Sequence, residues 1–187
     1  MSRKVMRLMI VVSLAVICFS SCKHKAEDVI SEANKTREEI NKNQADYKSK
    51  HVDDLTSSEP GSITGYYKDD ELKKIYAEHF GEKDRSFTEF YFDDGMLVCV
   101  MEQDYVYNKP NTYTEEKAKQ TNDSVWYDDK KTRLEVSSFY FTGNNKMIKW
   151  ADAGNDIPMG STDFTTKESE LWAQAAIMIK ELKEQDH

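Results

Sequence analysis

The hydrophobic pattern changes character three times along the chain. An apolar run from Leu8 to Phe19 comes first, then a sparse helical spacing, then alternation from Ile63, and finally a dense helical stripe. Over residues 26–49, Ala26, Val29, Ile30, Ala33, Ile40 and Tyr47 recur at helical intervals, with Arg37 and Gln44 interrupting. This spacing predicts a polar helix with a thin apolar face. It reads as a stalk or a lightly docked helix before a coiled coil, since sustained heptads are missing. Ser57, Ser58, Pro60 and Gly61 mark residues 50–61 as a linker.

From Ile63 onward, alternation and abundant aromatics predict strands. One plan recurs. Tyr66-Tyr67-Lys68-Asp69-Asp70 precedes Leu72, Phe90-Tyr91-Phe92-Asp93-Asp94-Gly95 precedes Leu97, and Phe139-Tyr140-Phe141-Thr142-Gly143-Asn144-Asn145 precedes Met147 and Ile148. Each unit is an aromatic strand, a turn of residues that tolerate positive φ or cap themselves, and an aliphatic return strand: a β-hairpin. Val125-Trp126-Tyr127-Asp128-Asp129 predicts a further strand and turn, and Thr112–Asn122 a loop or short helix. At the end of the chain, Thr165 and Glu168 fit a capping box, and Leu171, Ala175, Met178, Ile179 and Leu182 share one helical face, widened by Trp172 and Ala176. An antiparallel sheet needs cover on at least one face, and this helix carries the area for it. The expected fold class is α+β, an antiparallel β-meander of about six strands packed against a C-terminal helix and preceded by the polar N-terminal helix.

The start of the chain reads as an address. Arg3, Lys4 and Arg7 precede an apolar run too short for a membrane span, which needs about 20 residues, and small residues follow, as in a secretory signal. Phe19-Ser20-Ser21-Cys22 resembles the lipobox of bacterial lipoproteins. Cys18 competes less well, because the bulky Ile17 precedes it while Ser21 precedes Cys22. The resemblance covers the first 22 residues only and implies cleavage before Cys22 and a diacylglyceryl group on its sulfur. Two acyl chains give stable anchoring where one does not. With Lys23, and not Asp, after the cysteine, it also leans toward the outer membrane of a bacterial envelope. The organisation expected is then a signal peptide over 1–21, a lipid-anchored and largely helical tether over 22–58, and a globular domain over 59–187. That plan is similar to many small exported lipoproteins, with no motif selecting one family.

Charge excludes one class of partner. The chain carries 26 basic and 34 acidic side chains; losing Arg3, Lys4 and Arg7 with the signal leaves 23 basic against the same 34, a balance of −11. No basic stripe is present, so nucleic acid is not an expected partner. With Cys18 removed and Cys22 acylated, Cys99 is the one other thiol, and no internal disulfide can form. Its place in the apolar run Met96–Met101 favours a buried, inert thiol over a nucleophile.

Candidate chemistry is sparse. Asp69-Asp70, Asp93-Asp94 and Asp128-Asp129, and a further group of Asp152, Asn155 and Asp156, invite a calcium reading, but none follows a calcium-loop spacing and all read first as turns. His24, His51, His79 and His187 are too scattered for zinc. No nucleophile elbow, Cys–His pairing or phosphate-cradling glycine loop is found, so no catalytic residue, metal or cofactor is assigned and an enzyme is the weaker reading. The aromatics remain. Alternation puts Tyr66, Tyr91 and Tyr140 together on the face opposite the C-terminal helix, where ordinary cross-strand pairing competes with a binding face for an envelope protein or an amphiphilic ligand. The other readings are a structural tether that self-associates through residues 26–49, and an enzyme or enzyme inhibitor of unknown type.

Overall fold

The computed structural model describes residues 25–53 and 60–184. The apolar run Leu8–Phe19 and the lipidation candidate Cys22 lie outside them, as do Ser57 and Ser58 of the expected linker. The elements are helix α1 (25–43), strands β1 (Lys48–Asp53), β2 (Gly61–Lys68), β3 (Glu71–Phe80), β4 (Asp84–Asp93) and β5 (Met96–Val106), helix α2 (Glu115–Gln120), strands β6 (Arg133–Phe141), β7 (Met147–Asp152) and β8 (Asn155–Asp156), and helix α3 (Thr162–Glu184). The strands form one antiparallel sheet in simple sequence order, β1 to β8.

The α+β meander backed by a C-terminal helix is what the alternation implies, with eight strands in place of about six. One added strand is β1, inside the expected tether. Its partner is β2, and the register Ser49↔Tyr66 and His51↔Thr64 ties it into the sheet. The other, β8, is a two-residue turn-back on β7. Residues 125–128 form no strand; a short 3-10 turn at Asp129–Lys131 leads directly into β6.

The turn residues behave as their chemistry requires. Asp69 and Asp70 have φ of 50° and 65°, and Asp94 and Gly95 have 47° and 73°. These are left-handed positions that Asp and Gly accept more readily than bulky residues, which accounts for both acidic pairs without an ion. In all three hairpins the return strand then carries one extra residue, since the register shifts between Tyr66 and Tyr67, Tyr91 and Phe92, and Tyr140 and Phe141. The residues passed over are Lys73, Val98 and Ile148. A bulge turns two consecutive side chains to one side, so Val98 and Cys99 both join the cluster on one face while Leu97 packs in the other.

On that second face, α3 lays Phe164, Leu171, Ala175, Met178 and Leu182 over Ile63, Ile75, Phe90, Phe92, Leu97, Val100, Phe139 and Phe141. Burying each large side chain contributes about 1.5–3 kcal/mol. The helix starts one turn before the expected capping box. Ser161 caps it, its Oγ accepting from the Phe164 N–H at 3.2 Å, and Glu168 accepts from the Met147 N–H at 3.0 Å, fastening α3 to β7.

The opposite face is covered too. Helix α1 lies across it, with Ala33 and Ile40 packed on Tyr91, Cys99 and Tyr140. Of the two readings of residues 26–49, stalk or docked helix, α1 shows the docked one, its apolar stripe occupied by the sheet; the boundary expected at 59 is corrected, since α1 and β1 belong to the packed body. The docked helix also corrects the proposed open face. Tyr66, Tyr91 and Tyr140 do share one side, on the row Tyr66–Lys74–Tyr91–Cys99–Tyr140. Tyr91 and Tyr140 are nonetheless buried, because the thin stripe of α1 suffices to shield a face whose central residues are already large and aromatic.

Candidate functional site: an aromatic strip on the uncovered half-sheet

Polar groups hold α1 in place. Lys74 is buried at the centre, its Nζ donating to Asn41 Oδ1 at 2.9 Å, Gln44 Oε1 at 3.0 Å and Glu89 Oε1 at 2.5 Å. The rings of Tyr66 and Tyr91 flank the ammonium at 5.9 and 5.2 Å. The Tyr91 hydroxyl pairs with Asn41, and that of Tyr140 donates to Asn34 Oδ1 at 3.2 Å. Burial pushes the Tyr91 hydroxyl far above the ordinary tyrosine range, with the Glu89 carboxylate adding to it. Cys99, fully buried under α1, has its thiol pushed up to about 12 by burial. A thiol so protonated is a poor nucleophile, in line with the inert reading of the sequence.

Helix α1 runs over the row from Lys74 to Tyr140, with Met101 at its margin, and leaves the far part of that face half-buried to exposed. Strands β3 to β6 extend well past it, and their next residues on the same side are Tyr76, Glu78 and Phe80, then Arg85 and Phe87, then Gln103 and Tyr105, then Leu134 and Val136. The rings form a connected cluster. Phe87 stacks on Tyr76 at 6.1 Å and meets Phe80 and Tyr105 edge-on at 6.2 and 5.6 Å, while the Arg85 guanidinium lies 4.7 Å over Tyr105. Phe80, Leu134 and Val136 are 42%, 48% and 39% exposed, so the cluster opens to solvent at both ends. Aromatic pairs of this geometry add about 0.5–1.5 kcal/mol beyond their burial, which stiffens the strip without hiding it.

The strip has a polar frame. Glu78 accepts from Ser62 Oγ at 2.9 Å and from the Tyr76 hydroxyl at 3.5 Å, and the Tyr105 hydroxyl reaches Gln103 at 3.5 Å. Burial, followed by the Glu78 charge, holds the Tyr76 hydroxyl above its ordinary range. Such a surface can stack and exclude water and can orient a partner through Arg85 and Glu78. Sequence periodicity placed Tyr66, Tyr91 and Tyr140 on one face, and the exposed apolar side chains of that face lie toward its other end. Phe80, Phe87, Tyr105, Leu134 and Val136 occupy the same alternating positions as Tyr91 and Tyr140, yet Phe80, Leu134 and Val136 are exposed and Phe87 and Tyr105 half-buried, while Tyr91 and Tyr140 lie buried under α1.

Two hollows lie on the α3 side. A groove of about 240 Å³ runs between α3 and β2–β4, lined by Ile63, His79, Ser86, Thr88 and Ile177 among others. A wider cleft of about 670 Å³ opens where the C-terminal turns of α3 approach the hairpin tips, bordered by Lys48, Tyr67, Asp70 and Lys183. Below α3, Glu102 pairs with Lys167 at 2.9 Å. Burial raises the carboxyls of both Glu102 and Asp104 above the usual carboxylate range, with Lys167 acting against it. Among the described residues, no group of three or more His, Cys, Asp or Glu is placed to hold a metal ion, and no helix is long and apolar enough to cross a membrane. Comparison with protein families, with curated proteins and with solved structures gives no match for this chain.

Proposed function

We propose that this chain is a bacterial envelope lipoprotein, acylated at Cys22 and held at the outer membrane. It acts as a non-enzymatic binding module, docking an envelope protein or an amphiphilic ligand on the aromatic strip of its uncovered half-sheet. The observation that carries the docking part is the exposure of Phe80, Leu134 and Val136 at the rim of the Phe87 ring cluster. Exposed aromatic and apolar surface framed by polar groups is the common physical form of a binding site, and rings already held by one another lose little freedom when a partner arrives. The lipid part is supported by the residues Phe19 to Cys22, and the outer membrane by Lys23 directly after the cysteine. The tether alternative loses its motive, because the stripe it required for self-association lies against the sheet.

Crosslinking in intact cells tests the docking surface. Phe80→Ser combined with Leu134→Ser, both at exposed positions, is expected to weaken capture of the principal neighbour by tenfold or more, since an interface anchor contributes about 1–2 kcal/mol or more and 1.4 kcal/mol is tenfold. The melting curve of the variant should stay close to that of the parent. Undiminished crosslinking by a correctly folded double variant would remove the strip as the docking surface.

A further inference from the structure

Helix α1 crosses the strands, and the bonds along it give its direction. Asn34 meets Tyr140 on β6, Asn41 meets Tyr91 on β4, and Gln44 meets Lys74 on β3. Followed backwards from Asn34, the nine residues to Lys25 cover about 13 Å at 1.5 Å each. Two strand spacings, from β6 to β8, take about 9.6 Å. The start of the described helix therefore reaches the β8 edge of the sheet or passes it. Cys22 lies three residues further on, and three residues span at most about 11 Å.

That edge differs from its opposite. At the far side of the sheet, β1 presents Lys48, Lys50, His51 and Asp53. The strand at this edge carries Asp156, paired with Lys149 at 3.2 Å, and past it the chain runs Ile157-Pro158-Met159-Gly160-Ser161-Thr162 without a charge, in a sequence where 32% of residues are charged. Met159, in the turn into α3, is 68% exposed, more than any other large hydrophobic side chain among the described residues.

We propose that the β8 edge, led by Met159, is the surface that lies against the lipid bilayer. The inference rests on acylation at Cys22. With no spacer between anchor and helix, and with α1 docked on the sheet, the lipid draws one particular edge of the domain onto the membrane. Pro158 and Met159 then enter the headgroup region, as apolar side chains of interfacial proteins do, while Ile157 stays packed against the core. The strands lie roughly parallel to the bilayer and β1 stands about 34 Å away, seven strand spacings out. The aromatic strip, on a face of the sheet, is left clear of the membrane for a partner.

The test uses the mature acylated protein in vesicles of phosphatidylethanolamine and phosphatidylglycerol, with an environment-sensitive fluorophore on Met159→Cys or, separately, on His51→Cys. Cys99 is buried and stays unlabelled. The probe at 159 is expected to shift to the blue and to be quenched several-fold more by spin-labelled lipid than the probe at 51. If vesicle-bound, acylated protein keeps both probes in water, or quenches the probe at 51 instead, the edge assignment is wrong while the anchor stands. If mass analysis finds no diacylglyceryl group on Cys22, the lipoprotein reading itself fails and the edge assignment falls with it.

Discussion

At the residue scale, Gly65 and Cys99 show how tightly the two faces are set. Gly65 faces α3 from β2, and a Cβ placed there would sit 2.8 Å from Leu182 Cδ1 and 3.0 Å from the Tyr67 ring. The need for glycine is one of space, because its backbone is ordinary strand. Gly65→Ala is therefore expected to destabilise the fold by about 1–3 kcal/mol through overpacking, read as a lower denaturant midpoint with an unchanged slope. Loss of less than about 0.5 kcal/mol would mean that α3 shifts to make room. Nothing in the neighbouring sequence distinguishes Gly65 from a weak strand residue; Leu182, which crowds it, comes more than a hundred residues later. Cys99 is the contrary case, since an apolar run around a lone thiol was sufficient signal for its burial.

At the element scale, the decisive contact is α1 on the sheet. Its apolar part is small, Ala33 and Ile40 with Ile30 and Tyr47 at the margin, and the rest of the attachment is the Lys74 network. Elements with few buried contacts open locally at lower free energy than the core. Ile40→Ala should cost about 2–4 kcal/mol, concentrated in α1. The expected reading is faster modification of Cys99 by a thiol reagent and faster amide exchange over residues 25–43, with exchange in β4 and β5 little changed. Equal acceleration in every strand would show instead that α1 and the sheet unfold as one unit. Two of the three bulges belong to the same account. They broaden the floor beneath α1 by turning Val98 with Cys99, and Ile148 with its neighbour, toward the helix. The hairpin repeat was visible as aromatic–turn–aliphatic units, but a bulge depends on pairing across strands and leaves no local pattern.

At the scale of the whole molecule, the sheet is a wall with α3 along one face, α1 across part of the other and the aromatic strip beyond it. Its pH response follows from the carboxyls under α3. Glu102 and Asp104 are pushed up by burial in the folded protein, so the native state binds more protons than the unfolded state between their ordinary values, about 4, and the raised ones. Their ionisation opposes folding, and stability falls as pH rises through that window. Glu102→Gln is expected to raise the melting temperature most above the window in which Glu102 ionises and least below it, and a gain that does not depend on pH would discount this carboxyl. The sequence by itself determined the antiparallel α+β plan, the three hairpins with their left-handed turn residues (Asp69 and Asp70, Asp94 and Gly95, Asn145), the covering stripe of α3, and the common side of the sheet for Tyr66, Tyr91 and Tyr140. These follow from period and turn chemistry, which act over a few residues. Tertiary structure alone decided that the polar helix of residues 25–43 docks, that residues 48–53 join as an edge strand, and that the solvent-facing end of the aromatic row is Phe80, beside the half-buried Phe87 and Tyr105, and not Tyr91 and Tyr140. Those outcomes depend on where one element ends against another. Alternation gives every inward position on a strand the same signal, and exposure is set by the length of the helix laid across them.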